Sequence, residues 1–207
     1  MRKALTIGEL LVTMTIIGVI ATLVLPGFLK DYHKKIYTTK LKKVYETLEN
    51  AINQACVDNN VSYLGQTKYA LTGKANQEEF LKTYFKKASS NAAFPFASTY
   101  KIINTGASGS SGIETDSAYA KLASGEAIAI SCSPYTYNGT TKQECIVSVD
   151  TNSTAGPNIG GRDFFRFRID TTNNKIMSHN TSNYCGNDQY GHGCFTKIIE
   201  DNWTMNY

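Results

Sequence analysis

MRKALTIGELLVTMTIIGVIATLVLPGFL, residues 1–29, is the most informative stretch of the chain. From Leu10 to Leu29 it runs for 20 residues without a charged side chain. As an α-helix rising about 1.5 Å per residue, this run is roughly 30 Å long, which matches the hydrocarbon thickness of a bilayer. It is longer than the apolar core of a cleaved secretory signal, and no A-x-A-like cleavage site follows it. We therefore predict a single-pass transmembrane helix.

Glu9 is an ionisable side chain at the edge of this apolar run. A carboxylate drawn into lipid costs about 2.5–3.5 kcal/mol on insertion scales, so such a residue usually has a partner. If MRKA is removed after Ala4, Leu5 becomes a new N-terminus four residues before the carboxylate. The free amine of a neighbouring copy could then neutralise Glu9 inside an apolar helix bundle. Such a pair favours one stagger between subunits.

The same segment resembles the processing and methylation segment of type IV pilins and type II secretion pseudopilins. That pattern has a short basic leader, a small residue before the cut, an N-methylated apolar first mature residue and a glutamate at the fifth mature position. Ala4, Leu5 and Glu9 occupy these places. The chain departs from the commonest pattern at Ala4, Leu5 and Gly8, where Gly, Phe and a bulkier apolar residue are more usual.

Gly18 and Pro26 match two later positions at which members of that family often carry residues that loosen the helix. Proline lacks the N–H that would bond the carbonyl of Thr22, so the helix is expected to kink or loosen there. Because helical periodicity resumes directly after Pro26, we expect the helix to continue through it.

The resemblance implies a structural subunit of a type IV pilus or pseudopilus, cut by a prepilin peptidase and assembled through its N-terminal helix. A type II secretion or competence pseudopilin is an open alternative. The implied partners are other copies of the chain or sister pilins, the peptidase, an inner-membrane assembly platform and, before assembly, the membrane. The implied location is the bacterial inner membrane, with the globular part outside the cytoplasm, and then an extracellular or periplasmic filament.

Five cysteines indicate an oxidising compartment. Cys132 and Cys145 flank a turn-rich stretch between two strand-like runs, and Cys185 and Cys194 bracket a short loop near the C-terminus. Two short-range disulfides are the simplest pairing, although four cysteines allow three connectivities. Each would close a loop of about ten to fifteen residues and contribute about 2–4 kcal/mol. Cys56 is left over, and its place on the apolar side of a predicted helix favours a buried, unreactive thiol.

Beyond the apolar run, helical periodicity continues. Apolar residues recur at spacings of three and four, at Tyr37, Leu41, Val44, Leu48, Ile52 and Ala55. One apolar stripe of this kind predicts a helix that continues to about Val57 and packs on the rest of the chain. The predicted organisation is a leader over 1–4, a transmembrane and filament-core helix over 5–29, an amphipathic continuation over 30–57 and a globular extracytoplasmic head over 58–207.

The globular part is predicted to combine a short helix with a sheet. Asn76 followed by Glu79 predicts a capped helix over 76–88, and 89–125 is expected to be surface loop. The apolar runs typical of strands are 126–132, 144–150, 162–170 and 175–179, and a closing helical turn is expected over 194–203. Sequential strands with short connections favour an antiparallel sheet. The predicted fold class is therefore α+β, with a long N-terminal helix packed on a small antiparallel sheet, as in pilins.

The lysines after the apolar run argue against an orientation with the globular part outside the cytoplasm. They are Lys30, Lys34, Lys35, Lys40, Lys42 and Lys43, whereas only Arg2, Lys3 and the initial amine precede the run. Counting positive charges would place the C-terminal side in the cytoplasm. Paired cysteines and the leader pattern both require an external globular part, and we give them more weight.

A calcium site is a further hypothesis. Residues 149–167, VDTNSTAGPNIGGRDFFRF, resemble a stretch of some pseudopilin-like heads, and some pseudopilins bind calcium. The oxygen ligands would come from Asp150, Asn152, Asn158 and Asp163. Their spacing fits no EF-hand loop, and turn capping by Asp and Asn is the interpretation that the sequence favours. We therefore expect no cofactor and leave the metal ligands open.

Other function classes have less support. A net charge of +4, from 21 basic and 17 acidic side chains, does not predict a specific nucleic-acid partner. Cys185, His192 and Cys194 fall short of the four ligands of a closed zinc site, and no motif supplies an oxyanion hole or a phosphate cradle. We expect no enzyme activity. An extracellular binding or adhesive domain on a signal anchor is the remaining alternative, and it predicts an intact N-terminus and monomers.

Overall fold

The computed structural model describes residues 6–87, 93–114, 116–137 and 139–207. They divide into two units, one that ends at Ile36 and one that runs from Tyr37 to Tyr207. A single helix, α1 (Ile7–Asp58), contributes to both units, and its end lies one residue beyond the predicted one. The fold is α+β, with the long helix packed on antiparallel strands, as the sequence predicts.

In the first unit, the apolar side chains of α1 are exposed. From Ile7 to Leu29, each large apolar side chain has about half or more of its surface accessible. Among the described residues, α1 is the one helix that is long and apolar enough to cross a membrane. A run of this kind near an N-terminus can serve as a membrane anchor or as a signal, and its surface has to be covered by something outside this unit.

In the second unit, α1 buries one stripe. Its buried residues are Tyr37, Thr38, Leu41, Val44, Leu48, Ala51, Ile52, Ala55 and Cys56. All six positions of the predicted stripe are among them, and the side chains of Leu41 and Leu48 have no exposed surface. The stripe contributes to the core of the second unit.

The sheet of the second unit is antiparallel and five-stranded. A separate two-stranded hairpin precedes it, formed by β1 (Thr99–Lys101) and β2 (Ser108–Ser110). The sheet strands, in spatial as in chain order, are β3 (Ala118–Lys121), β4 (Ala127–Tyr137), β5 (Thr140–Asp150), β6 (Phe164–Asp170) and β7 (Lys175–Met177). The shorter helices are α2 (Lys74–Tyr84) and α3 (Cys194–Glu200), with 3-10 turns at Leu64–Gln66, Lys68–Ala70 and Ser182–Tyr184.

The two faces of the sheet are covered differently. Side chains alternate between faces along a strand, so Val147, Phe165 and Phe167 share one face, and all three are fully buried. On the other face a smaller apolar cluster joins the sheet to the segment around β1, and it consists of Phe96, Tyr100, Ala127, Ala129 and Phe164. Both faces of the sheet are therefore buried where β4, β5 and β6 carry these residues.

Two sequence predictions are wrong. Helix α2 begins at Lys74 after Gly73, so Asn76 lies inside the helix rather than at its cap. The N-cap, Gly73, offers no side-chain cap, and the buried Gln77 ties the helix to the preceding turn, where its amide donates to two backbone carbonyls at 2.9 and 2.7 Å. The segment 89–125, expected to be loop, contains β1, β2 and β3 in its described part. These strands have three or four residues each, too few for a periodic signal in the sequence.

Both disulfides have the short-range pairing that the sequence favours, Cys132 with Cys145 and Cys185 with Cys194. Cys132 and Cys145 face each other across β4 and β5 with their Cα atoms 4.0 Å apart, the close spacing of a pair without mutual backbone hydrogen bonds. Pro134 lies two residues further along β4, so its backbone nitrogen points the same way as that of Cys132, away from β5. It therefore points to the edge of β4 at a place where the pairing with β3 has already ended. A proline there discourages addition of another strand.

Shortening Leu48 to alanine should destabilise the second unit. We expect Leu48→Ala to lower the free energy of unfolding by about 2–5 kcal/mol, because it removes buried methyl groups and leaves a cavity. Denaturant titration of the full chain in detergent, followed by the fluorescence of the single tryptophan, Trp203, measures this. The control is Val57→Ala in the same helix, where the side chain is 71% exposed and the change should be small. Equal effects of the two variants would contradict the packing described for α1.

Candidate functional site

The start of α1 holds a capping box that the sequence analysis missed. The Thr6 backbone N–H and hydroxyl both donate to Oε2 of Glu9 at 2.9 Å, and the Glu9 N–H donates back to the Thr6 hydroxyl at 3.3 Å. This is the T-x-x-E pattern, in which the first and fourth residues satisfy each other's free backbone groups. The signal was present as TIGE at 6–9. Glu9 therefore has a local structural role whatever else it does.

The predicted cut between Ala4 and Leu5 lies outside the described residues. Immediately after them, α1 takes its first backbone hydrogen bond from Leu10 N–H to the Thr6 carbonyl at 3.1 Å. A new N-terminus at Leu5 would thus stand next to the capping residue.

The hydroxyl groups inside the apolar run are bonded to the helix itself. Thr13, Thr15 and Thr22 each donate to a backbone carbonyl three or four residues earlier, at 2.8 to 2.9 Å. Such bonds satisfy the polar hydrogen without a partner from another element. The run is consequently able to lie in an apolar environment despite its three threonines.

Gly18 and Pro26 both lie within α1, which continues past the proline. A Cβ at Gly8, Gly18 or Gly27 would meet no atom of the chain within 4 Å. Glycine in a helix interior costs about 1 kcal/mol relative to alanine. Packing within the described chain does not offset that cost at these positions.

The four calcium candidates lie between the end of β5 and the start of β6, and the two aspartates among them cap turns. Asp163 accepts the backbone N–H groups of Asn158 and Ile159, both at 2.7 Å. Asp150 accepts the Tyr100 hydroxyl at 2.6 Å and the Asn152 N–H at 3.0 Å. Both carboxyl groups are fully buried. Asp150 and Asp163 therefore have the turn-capping role that the sequence favours, and the hydrogen bond from Tyr100 also ties the segment around β1 to the sheet.

Two further oxygens, Oδ1 of Asn152 and Oδ1 of Asn158, are buried in this loop without a hydrogen-bond partner. Among the described residues, however, no group of three or more His, Cys, Asp or Glu side chains is placed to hold a metal ion. Calcium binding by Asp150, Asn152, Asn158 and Asp163 stays an untested hypothesis.

The loop between Cys185 and Cys194 is closed by their disulfide, so their sulfurs are not available as thiolate ligands for zinc. Inside the loop, Nδ1 of His192 lies 2.7 Å from a carboxylate oxygen of Asp188. The His179 ring is 5.0 Å from the His192 ring. Burial, together with the nearby charge of His192 and two arginines, lowers the pKa of His179 to about 4. The histidines thus belong to a packed C-terminal cluster.

A cleft of about 150 Å³ opens on the sheet face beside the segment that follows β2. Arg166 is its most distinctive lining residue. Its Nε donates to Ser148 at 3.2 Å, its Nη2 donates to the Ser111 carbonyl at 2.8 Å, and its guanidinium lies 4.3 Å from the Tyr190 ring centroid. These contacts join the sheet to neighbouring loops. They give Arg166 a structural role that does not depend on a bound ligand.

Cys56 is the free cysteine among the described residues, and it is buried. The Asn174 amide donates to its sulfur at 3.6 Å. This placement agrees with the buried thiol expected from the sequence.

The comparisons with known proteins add a family but no activity. A family model described as "Family of unknown function (DUF6613)" matches residues 27–193, which is more than half of the chain. The matched region begins one residue after Pro26 and therefore leaves out Glu9 and most of the apolar run. No curated protein and no solved structure matches the chain.

Replacing Asp150 by asparagine should change how stability depends on pH. Burial raises the pKa of Asp150 from 3.8 to about 8, although hydrogen bonds from Tyr100 and Asn152 act in the opposite direction. The bound proton therefore stabilises the folded state fully below about pH 3.8, and this contribution is lost as the pH rises through about 8. We expect Asp150→Asn to gain stability relative to the native chain across this window, by at most about 1.4 kcal/mol per pH unit.

The measurement is urea unfolding at several pH values, with Asp116→Asn, at an exposed carboxylate, as the control. Parallel pH profiles for the native chain and Asp150→Asn would show that Asp150 is ionised throughout.

Proposed function

The chain belongs to the family of unknown function DUF6613, and we propose that it is a structural subunit of a type IV pilus or pseudopilus. In this proposal a prepilin peptidase cuts it between Ala4 and Leu5, and it assembles through its N-terminal helix. The observation that carries the proposal is the apolar surface of α1 up to Leu29, with Glu9 at its beginning.

That surface needs two environments in succession. Before assembly, lipid covers an apolar helix about 30 Å long at little cost. In a filament, the same side chains pack against the helices of other copies, which exclude both water and lipid. Because the hydroxyl groups of the run are bonded internally, neither environment leaves them unsatisfied.

The geometry of Glu9 supports a second contact. Both bonds from Thr6 go to Oε2 of Glu9. Its other oxygen, Oε1, makes no hydrogen bond with the described residues. The amine of a neighbouring subunit's Leu5 can bind there while the capping box stays intact, and the pair then neutralises a charge that an apolar bundle would otherwise exclude.

The glycines and the proline fit the same proposal. They weaken α1 at Gly18, Pro26 and Gly27, and a Cβ at either glycine would meet no atom of the described residues within 4 Å. In a filament, glycine lets helices approach closely, and proline lets a helix loosen locally where it enters the packed core.

The proposal places the second unit outside the cytoplasm of a bacterium, first at the inner membrane and then in an extracellular or periplasmic filament. Two disulfides support this location, because paired cysteines persist in oxidising compartments. The proposed partners are further copies or sister pilins, the peptidase and the inner-membrane assembly platform.

The mature N-terminus should be Leu5 with an N-methyl group. Intact mass and N-terminal peptide mass of the protein from its native host measure this, and we expect the first four residues to be absent. An anchored binding or adhesive domain would instead keep Met1 and stay monomeric. Finding Met1 on protein taken from the host surface would therefore reject the pilin proposal in favour of that alternative.

Charge at Glu9 should be necessary for filaments, beyond its capping role. Glutamine also serves at the fourth position of a capping box, so Glu9→Gln keeps the cap but removes the charge, whereas Glu9→Ala removes both. We expect both variants to lower the amount of sheared filament at least about tenfold, the effect of about 1.4 kcal/mol per subunit contact.

Glu46→Gln is the matched control, because Glu46 is an exposed glutamate of the same helix with an ion pair to Lys42. Normal filaments from Glu9→Gln together with few from Glu9→Ala would show that capping alone explains the residue.

A further inference from the structure

Helices α1 and α3 end in the same way. α1 ends at Asp58, and two residues later Asn60 has a φ of 53°. α3 ends at Glu200, and two residues later Asn202 has a φ of 52°. In both cases the residue after the asparagine donates its backbone N–H to the carbonyl five residues earlier, at 3.0 and 2.7 Å. Both ends are therefore Schellman motifs with asparagine in the left-handed position.

Both ends also carry a hydroxyl residue two positions after the asparagine, Ser62 and Thr204. The two segments, DNNVS at 58–62 and EDNWT at 200–204, share the order acid, any residue, Asn, any residue, hydroxyl. Asn-x-Ser/Thr is the acceptor pattern for N-linked glycosylation, which requires an accessible loop on a secreted surface.

The structure separates these two asparagines from others with the same pattern. Asn138 lies outside the described residues. The amide of Asn152 donates to a loop carbonyl at 2.8 Å and its oxygen is buried, and Asn180 is half-buried. Asn60 and Asn202 are exposed, and their carboxamides make no hydrogen bond with the described residues. They are thus open to an enzyme.

Helix capping alone accounts for part of the pattern. Asparagine is one of the few residues that tolerate the left-handed conformation, which explains its presence at both ends. Asp58 is explained by hydrogen bonds from Gln54 and Tyr84 at 2.7 and 3.0 Å. Glu200 makes no hydrogen bond or ion pair with the described residues, and an acid in the last helical turn is disfavoured by about 0.3–1 kcal/mol. The hydroxyl residues are not needed for the caps.

We propose that Asn60 is the acceptor of an N-linked glycan. Nδ2 of Asn60 forms a bond to the anomeric carbon of a saccharide held on a lipid pyrophosphate. The bond from that carbon to the phosphate oxygen breaks, the lipid pyrophosphate leaves with the electron pair, and Nδ2 gives one proton to a base of the transferase. No oxidation or reduction takes place.

Asp58 and Ser62 provide the recognition groups. The Ser62 hydroxyl is exposed and makes no hydrogen bond with the described residues, although the backbone of Ser62 bonds to Gln66 and Asn174. It is therefore available to a donor or acceptor in the transferase. The Asp58 carboxylate accepts from Gln54 and Tyr84 but keeps its negative charge, and this charge two residues before the acceptor would attract a cationic pocket.

Asn202 is the weaker acceptor, for a structural reason. The residue after it, Trp203, packs 5.3 Å from the Tyr45 ring and lies under Lys42 Nζ at 5.9 Å. Drawing this segment into a transferase would break those contacts. At Asn60 the corresponding residue is the half-buried Val61, which has a smaller side chain to release. We expect higher occupancy at Asn60 than at Asn202.

Peptide mass spectrometry of the full-length protein from its native host tests the proposal. We expect a saccharide mass on the peptide that contains Asn60, lost in Asn60→Gln and in Ser62→Ala and kept in Ser62→Thr. Asn50→Gln is the control, since Asn50 is an exposed asparagine of α1 with no hydroxyl two positions later, and it should change nothing.

An unmodified Asn60 overturns the proposal, as does a glycan that persists in Ser62→Ala or one found on Asn202 alone. The same digest reports the N-terminal peptide separately. An unmodified Asn60 beside a methylated Leu5 would reject the glycan and leave the pilin proposal standing. A glycan on Asn60 beside an intact Met1 would support the glycan and reject the pilin proposal.

Discussion

The burial of apolar surface divides helix α1 into two parts with different requirements. From Tyr37 onward, side chains such as Leu41 and Leu48 find their apolar partners within the chain. Up to Leu29 the large apolar side chains stay about half or more exposed among the described residues, so their partners have to come from the surroundings. A bilayer fits a run about 30 Å long, and the filament that we propose would supply a bundle of identical helices. The internal bonds of the threonines and the satisfied helix start at Thr6 matter because both environments exclude water.

The second unit is held together by different interactions on its two sheet faces. One face is joined to the core by apolar contacts of Phe165 and Phe167. On the other face, the segment around β1 is attached both by an apolar cluster and by single polar bonds, Tyr100 to Asp150 and Arg166 to the Ser111 carbonyl. The Tyr100 bond is buried and the Arg166 bond is partly buried, so losing one partner leaves the other poorly satisfied. This makes the position of the β1 segment specific. Burial of the same site raises the pKa of Asp150, against the effect of the hydrogen bond from Tyr100.

Sequence patterns were reliable wherever a repeated signal existed. The apolar stripe located α1 to within one residue of its end, and alternation located β6 and the later part of β5. Elements of three or four residues, such as β1 and β2, have no period to detect, and their place depends on contacts with distant residues. The capping box at Thr6 was overlooked although its letters were visible, because the charge of Glu9 invited an explanation between subunits. The helix start at Lys74 carries no capping signal in the sequence, since its N-cap is Gly73, and the buried bonds of Gln77 to the preceding turn join residues that no local pattern connects.

The capping box and the proposed subunit pair at Glu9 reinforce each other. A free glutamate side chain must be ordered before it can meet a partner, at a cost of about 0.5–1.5 kcal/mol. The box orders the carboxylate within its own chain, with Oε2 held by Thr6 and Oε1 left open. It also fixes the carboxylate at the first turn of the helix, where the helix dipole favours a negative charge. A neighbour's amine would therefore meet a carboxylate that is already oriented, so the local role of Glu9 lowers the cost of the intermolecular one.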